Sequence, residues 1–411
     1  MKKIFTVLAL LMIPGGMLLA ELGGIPFETL YKTIGARSLA MGETAVGNPS
    51  GITTILWNPA YLDSLMKNEV YAGAELLYGG ASMEYLSYTT PIGKYGGLGF
   101  MAGYLGYGSY EETTVDSTGN QAVLGNSDYK DIFISAAYGK NIIAGIEAGI
   151  SMKMLLECEG SETFPAFNAD VSFFKSFELF DLGLAFKNIL PLTINYDTDS
   201  EQFITTMRFG GVYKALDGKL KIAADIEKYF IKENPFFYFG AEYNISDLIF
   251  IRAGYNTFSE VSGGLGINFN NMGVDYTLTD GQAAVMHKIA VYYDFGGYDV
   301  AVKADPEVFS PVGSIKKTYL RVSAMTKYEI FKWLLEIKDK NGAVVKSWNG
   351  TGTPDAENVW DGLRQDGMPM DEGDYKAVLT VVDENDKTIK STETLIRIKS
   401  TDAHSIPLFG E

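Results

Sequence analysis

The chain has 411 residues, a formal net charge of −17, 13% aromatic residues, 45 glycines and one cysteine. That charge disfavours nucleic acid, whose phosphates require a basic surface. A lone Cys158 excludes an intramolecular disulfide and any multi-cysteine metal cage, so stability must come from closed hydrogen bonding and packing.

Residues 1–20 read as a secretory signal: Lys2 and Lys3 supply the charged start, Ile4 to Ile13 the apolar core and Leu18-Leu19-Ala20 a cleavage end. No cysteine follows it, which argues against a lipoprotein anchor there. The next stretch, 21–66, is expected to be an irregular segment. Between Gly35 and Leu62 its apolar residues follow neither a helical nor a strand period, and small residues and turn formers surround a Trp57-Asn58-Pro59-Ala60 knot.

From 67 to 297 the dominant signal is alternation. Ile289, Val291, Tyr293 and Phe295 fall on one face, and Lys288, Ala290, Tyr292 and Asp294 on the other. Ile249, Ile251, Ala253 and Tyr255 alternate in the same way with Phe250, Arg252, Gly254 and Asn256. Period two also fits a soluble sandwich. Three features favour a transmembrane barrel: segments of roughly 9–12 residues, aromatic segment ends and connections that alternate in length. About fourteen antiparallel strands are expected, starting near 68, 81, 97, 129, 142, 167, 180, 203, 219, 235, 247, 261, 272 and 287. Longer loops are expected at 111–128, 159–165, 191–202 and 280–286. Hydrocarbon offers no partner to a free N–H, so the strands must close. Asp225, Glu227, Arg252 and Asp275 then face the lumen.

Residues 298–309 read as a linker, 310–400 as a small β-sandwich and 401–411 as a tail. Trp333, Leu335 and Ile337 alternate, as do Tyr375, Ala377, Leu379 and Val381, and Asn341-Gly342 supplies a tight hairpin turn.

No chemistry-bearing constellation stands out, so the chain reads as non-enzymatic, with no catalytic residues, metal ligands or cofactor. His287 and His404 have no nucleophile motif nearby. Glu157 and Glu159 beside Cys158 disfavour a reactive thiolate. Gly96-Gly97-Leu98-Gly99 and Gly263-Gly264-Leu265-Gly266 lie in strands, with no following helix to hold a phosphate.

Residues 35–62, with Met41-Gly42 and Asn58-Pro59-Ala60, resemble the N-terminal signature of PorV/PorQ-like outer-membrane proteins, relatives of the FadL-type long-chain fatty-acid channels. The resemblance implies that this segment plugs the barrel lumen, with Gly35, Arg37, Met41, Gly42, Trp57, Asn58, Pro59 and Ala60 as plug residues. Gly35, Gly42 and Gly47 permit close backbone approach, and Arg37 is a candidate to pair with lumen acids such as Asp225 or Glu227. Glu43 and Tyr61 stand where the family pattern often has glycine. Phe309-Ser310-Pro311, Trp333-Leu334-Leu335-Glu336-Ile337, Trp360-Asp361-Gly362 and Gly373-Asp374-Tyr375 resemble the Ig-like module named after the flagellar hook-capping protein FlgD. Together these imply an outer-membrane protein with a periplasmic module. Its implied role is uptake of a hydrophobic ligand such as a long-chain fatty acid. The alternatives are a type IX-like secretion component that carries or anchors exported proteins, or a structural envelope protein. Expected partners are outer-membrane lipid and, through 310–400, secretion machinery or a periplasmic protein.

Overall fold

A computed structural model describes residues 33–399, apart from 116–118, 161, 196–199, 233, 247, 258–259, 282–283 and 365. The leader 1–20, the first part of the plug segment and the tail 401–411 lie outside the described residues. The chain divides into two compact units, the second taking in Ile92–Lys94 and the chain from Gly296 onward.

The first unit is a closed antiparallel barrel of fourteen strands. They are β1 (Asn68–Leu76), β2 (Ser82–Pro91), β3 (Gly97–Val115), β4 (Gln121–Ile143), β5 (Ile146–Glu159), β6 (Glu162–Ser176) and β7 (Phe180–Lys187). A separate hairpin, β8 (Thr193–Asn195) and β9 (Ser200–Gln202), intervenes. The barrel resumes with β10 (Thr206–Ala215), β11 (Leu220–Tyr229), β12 (Phe236–Ser246), β13 (Ile249–Asn256), β14 (Val261–Phe269), β15 (Met272–Asp280) and β16 (Val285–Phe295). Closure is made by β1 on β16, with Asn68 opposite Phe295. An even number of strands therefore brings entry and exit of the chain to one end.

That end carries the short connections. After Ile143, Ser176, Ala215, Ser246 and Phe269 the chain reverses within two to four residues. Ala144, Leu216, Asp217 and Asn270 have positive φ at these reversals. The other end differs from expectation. Much of what was expected as loop continues long strands instead: β3 runs to Val115, β4 starts at Gln121, β5 runs to Glu159 and β6 starts at Glu162. The 191–202 connection contains the β8–β9 hairpin.

Alternation sets the two faces. Met272–Asp280 alternates exposed and buried at every position. Ile251, Tyr255, Leu265, Val274, Ile289, Val291 and Tyr293 are exposed, whereas Arg252, Asn256, Thr277, Lys288 and Ala290 are buried. The apolar side therefore faces outward around a polar interior, the arrangement that hydrocarbon imposes on a barrel. Exposed Tyr95, Phe177, Phe180, Tyr213 and Phe269 cluster at the short-turn end, as an interfacial girdle would.

The second unit has the opposite polarity. β17 (Asp299–Asp305), β19 (Thr318–Met325) and β22 (Glu357–Trp360) form one sheet. β18 (Val308–Phe309), β25 (Thr394–Ile398), β23 (Gly373–Asp383), β20 (Ile330–Lys338) and β21 (Val344–Thr351) form the other, with β24 (Thr388–Lys390) on β23. Val302 and Leu320 from the first sheet share a core with Leu335, Ile337, Leu379 and Val381 from the second, which makes a sandwich. Residues 298–309 are thus not a free linker, because β17 pairs with β19 along its whole length. Trp360 is fully buried, edge-on to Phe309 at 5.4 Å and Tyr375 at 5.2 Å, and Gly362 turns the chain at φ 65°.

Candidate functional site

Residues 33–65 fill the lumen as three short helical pieces: α1 (Ala36–Ala40), α2 (Thr53–Leu56) and a 3-10 turn (Pro59–Ser64). Helices this short do not persist alone, so the barrel wall must hold them. Wall side chains do so by satisfying plug backbone. Gly35 N donates to Glu75 Oε1 at 3.2 Å, Thr277 Oγ1 donates to Ala36 O at 2.6 Å and Ser262 Oγ donates to Ala40 O at 3.2 Å. Ala45 N and Val46 N both donate to Asp225 Oδ2, at 2.8 and 3.1 Å, and Ala60 N donates to Ser172 Oγ at 3.0 Å. Asn58 Nδ2 donates to Val46 O at 2.7 Å and to Phe173 O at 3.3 Å, tying plug to plug and plug to wall. An irregular segment can be buried here because its polar backbone finds these partners.

Close approach requires glycine on both surfaces. Gly42 has φ 62°, and a Cβ there would run into the backbone of Phe239 and Tyr255. On the wall opposite, a Cβ at Gly254 would strike the backbone of Met41 and Gly42. Met41 is buried in this contact, whereas Pro59 and Ala60 are buried against another part of the wall, where a Cβ at Gly139 or Gly149 would strike their backbone. Glu43 adopts φ 68°, a left-handed conformation natural to the glycine that the family resemblance leads one to expect at this position. Its carboxylate accepts from Asn256 Nδ2 at 3.1 Å and its carbonyl accepts from Arg208 Nη2.

The charges fall into two networks. Arg37 does not pair with Asp225 or Glu227. Its guanidinium forks onto Glu242, Nε at 2.8 Å and Nη2 at 3.0 Å, and Nη1 donates to Ser50 Oγ at 2.8 Å. Arg252 continues the ladder, 2.7 Å from Glu242 and 2.6 Å from Asp275, while Lys221 lies 3.4 Å from Glu242. Asp225 and Glu227 belong instead to Arg208, at 3.0 and 3.7 Å. The Arg208 guanidinium carbon also lies 4.4 Å from the Trp57 ring centre and 3.8 Å from that of Tyr238. Lys187 Nζ sits 3.6 Å over Trp57. A third buried pair, Lys153 with Asp170 at 2.7 Å, completes the polar belt.

Glu242, Arg208, Lys187, Lys153 and Asp170 were not singled out from sequence. Glu242 had a usable signal: it lies on the inward face of β12, directly opposite Arg252. Arg208 likewise occupies an inward position in β10, between buried Thr206 and Gly210. Buried charges of this kind are tolerated only when paired and hydrogen-bonded, and removing one partner strands the other.

The belt separates two unlike halves of the lumen. Toward the long hairpins Met83, Tyr85, Met101, Leu105, Phe133 and Phe236 join plug residues Ile55 and Trp57 in one buried apolar cluster, with buried Glu75 opposite Met83 and Asp131 opposite Leu105. Toward the short turns lies a cavity of about 360 Å³, roofed by Arg37, Ser50 and Tyr61 and walled largely by charged residues. Among the described residues no group of three or more His, Cys, Asp or Glu side chains is arranged to hold a metal.

No family model and no curated protein matches this chain. Solved structures do. A TodX deltaS2S3 mutant monoaromatic hydrocarbon channel matches at a TM-score of 0.50 and 12% identity, covering 64% of this chain and 98% of that one. The Pseudomonas putida toluene transporter TodX matches at 0.49 and 13%, covering 64% and 97%. A Pseudomonas aeruginosa FadL homologue matches at 0.43 and 9%, covering 64% and 98%. At such identities the first of these shows fold alone: the chain contains a β-barrel of the outer-membrane channel type.

Proposed function

We propose that this protein is a non-enzymatic outer-membrane channel of the FadL-like kind that takes up hydrophobic small molecules, long-chain fatty acids among them. The observation that carries the reading is the apolar half-lumen above the plug. Inward-facing Met83, Tyr85, Met101, Leu105, Phe133 and Phe236 form an apolar cluster in an interior that elsewhere holds buried ion pairs such as Arg208–Asp225 and Lys153–Asp170. Lipid facing the outside and water inside would favour polar residues there; an apolar lining suits a greasy ligand. The monoaromatic and toluene channels with the same fold support this class of cargo.

The plug residues Gly35, Arg37, Met41, Gly42, Trp57, Asn58, Pro59 and Ala60, with the lumen charges Asp225, Glu227, Arg252 and Asp275, form the floor of this path. The second unit, read as a FlgD-like Ig module, would hang in the periplasm, since the barrel returns the chain at the short-turn end. Titrating the detergent-solubilised protein with a long-chain fatty acid and with a neutral hydrocarbon tests the reading. Saturable binding that weakens about tenfold in Phe133→Asp is expected, from placing a charge in the apolar lining. Absence of saturable binding to either probe rejects uptake and favours the anchoring or secretion role.

A further inference from the structure

The second unit leaves one long sheet edge open. Of the strands that end its two sheets, β18 has two residues, β22 has four, and β17 carries Asp299, Lys303 and Asp305. Short or charged edges of that kind resist pairing with another chain. β21 has eight residues, Val344–Thr351, and pairs only with β20. Gly352 N donates to Phe331 O, which fixes the phase of the ladder. Gly350, Trp348 and Lys346 therefore turn their backbone groups toward β20, and Ser347, Asn349 and Thr351 turn theirs away. These three residues are exposed, and among the described residues no protein group bonds their N–H or C=O.

The side chains around this edge favour one kind of strand. Residues 330–351 carry Lys332, Lys338, Lys340 and Lys346 against Glu336 and Asp339, four positive charges to two negative. Lys338 is paired with Glu336 at 3.0 Å, and the Asp339 carboxylate accepts from the backbone of Asn341 and Ala343. Lys332, Lys340 and Lys346 are exposed and enter no ion pair among the described residues. Trp348, half-buried against the sandwich core, shares a strand face with Lys346, whose ammonium lies 5.7 Å from the indole centre. An incoming strand thus meets an apolar flank with cations around it. A second copy would bring its own excess of lysine to the same edge, and like charges across strands are destabilising.

We propose that the β21 edge is a docking site for an extended acidic segment of another protein, added to the sheet as a further strand beside Ser347–Thr351. Main-chain bonds to Ser347, Asn349 and Thr351 hold the segment, and apolar side chains at its alternate positions cover Trp348. Its carboxylates meet Lys332, Lys340 and Lys346, which sets the choice of partner. The surface belongs to the second unit, so it does not depend on the uptake reading.

The test is calorimetric titration of the full chain, in a non-ionic detergent, with a short peptide alternating valine and glutamate and, separately, with its valine–lysine counterpart. Saturable binding of the glutamate peptide alone is expected. Ser347→Pro removes an outward N–H, leaves the bonds to β20 in place and should weaken binding about tenfold. The double variant K332Q/K346Q keeps the edge but removes two cations, and should also bind about tenfold more weakly. In the parent, bound peptide should slow amide exchange at Asn349 and Thr351. No saturable binding of the glutamate peptide, equal binding of the lysine peptide, or undiminished affinity in both variants would overturn the proposal. Self-association of the parent that Ser347→Pro abolishes would also overturn it, by assigning the edge to a second copy.

Discussion

The two units use one backbone pattern in opposite senses. In the barrel, Arg208 and Lys187 are among the largest fully buried side chains, while Ile289, Val291 and Tyr293 face outward. In the sandwich, Trp360, Leu335, Ile337 and Leu379 are buried, and the ion pairs Arg397–Asp374, Lys376–Glu393 and Arg321–Asp305 lie on the surface. Both follow a period of two. The surroundings decide which face turns inward: a hydrocarbon exterior takes the apolar face out, an aqueous exterior takes it in. Charge is therefore structural in one unit and incidental in the other.

The largest expected effect that would break this contrast lies at the plug–wall contact. Gly42→Val adds a branched side chain at positive φ, against backbone with no room to move. The plug should fail to seat, and limited proteolysis should cut within residues 33–65 where the parent resists. Next come two mirrored substitutions. Arg208→Met leaves Asp225 and Glu227 buried without their cation and should cost the barrel about 3–5 kcal/mol, read from its unfolding in detergent. Trp360→Ala removes the central indole of the sandwich and should cost that unit a similar amount, about 3–5 kcal/mol, through the cavity left behind. If the hydrophobic swap in the sandwich were harmless, or the charge deletion in the barrel were, the contrast would lose its basis. The smallest effect belongs to Arg397→Ala. Its side chain is about half exposed, at 47%, and solvent screens the pair, so thermal unfolding of the second unit should not change measurably.

Much of the barrel was legible because alternation survives wherever a strand faces lipid on one side. Starts expected near 68, 97, 180, 219, 235, 261 and 272 lie within one residue of the strands found. The extension of β3 to Val115 and of β4 back to Gln121 was not legible. Beyond the bilayer neither face is obliged to be apolar, and a run such as Glu111-Glu112-Thr113-Thr114 carries no two-sided signal. β17 escaped notice for a related reason: Asp299–Asp305 is short and carries Asp299, Lys303 and Asp305 among small residues, which resembles a linker. At the site, the presence of a buried plug cation could be anticipated from Arg37, but its partner could not. Which inward acid meets Arg37 depends on the height at which the plug sits and on strand register, and these place Glu242 rather than Asp225 at its guanidinium. The glycines opposite the plug, such as Gly254, look in sequence like ordinary strand glycines. Their role emerges only when the facing backbone is known.

The central claim is that the exterior of the barrel is the lipid-facing surface. It is tested most directly by placing single nitroxide labels at positions 288 to 293 of β16, on a Cys158→Ala background reconstituted in bilayers, and measuring their accessibility to oxygen and to a water-soluble relaxant. The structure predicts oxygen-rich, water-poor surroundings for labels at Ile289, Val291 and Tyr293 and the reverse, or occlusion, at Lys288, Ala290 and Tyr292. Uniform accessibility along the strand, or an inverted alternation, would contradict it.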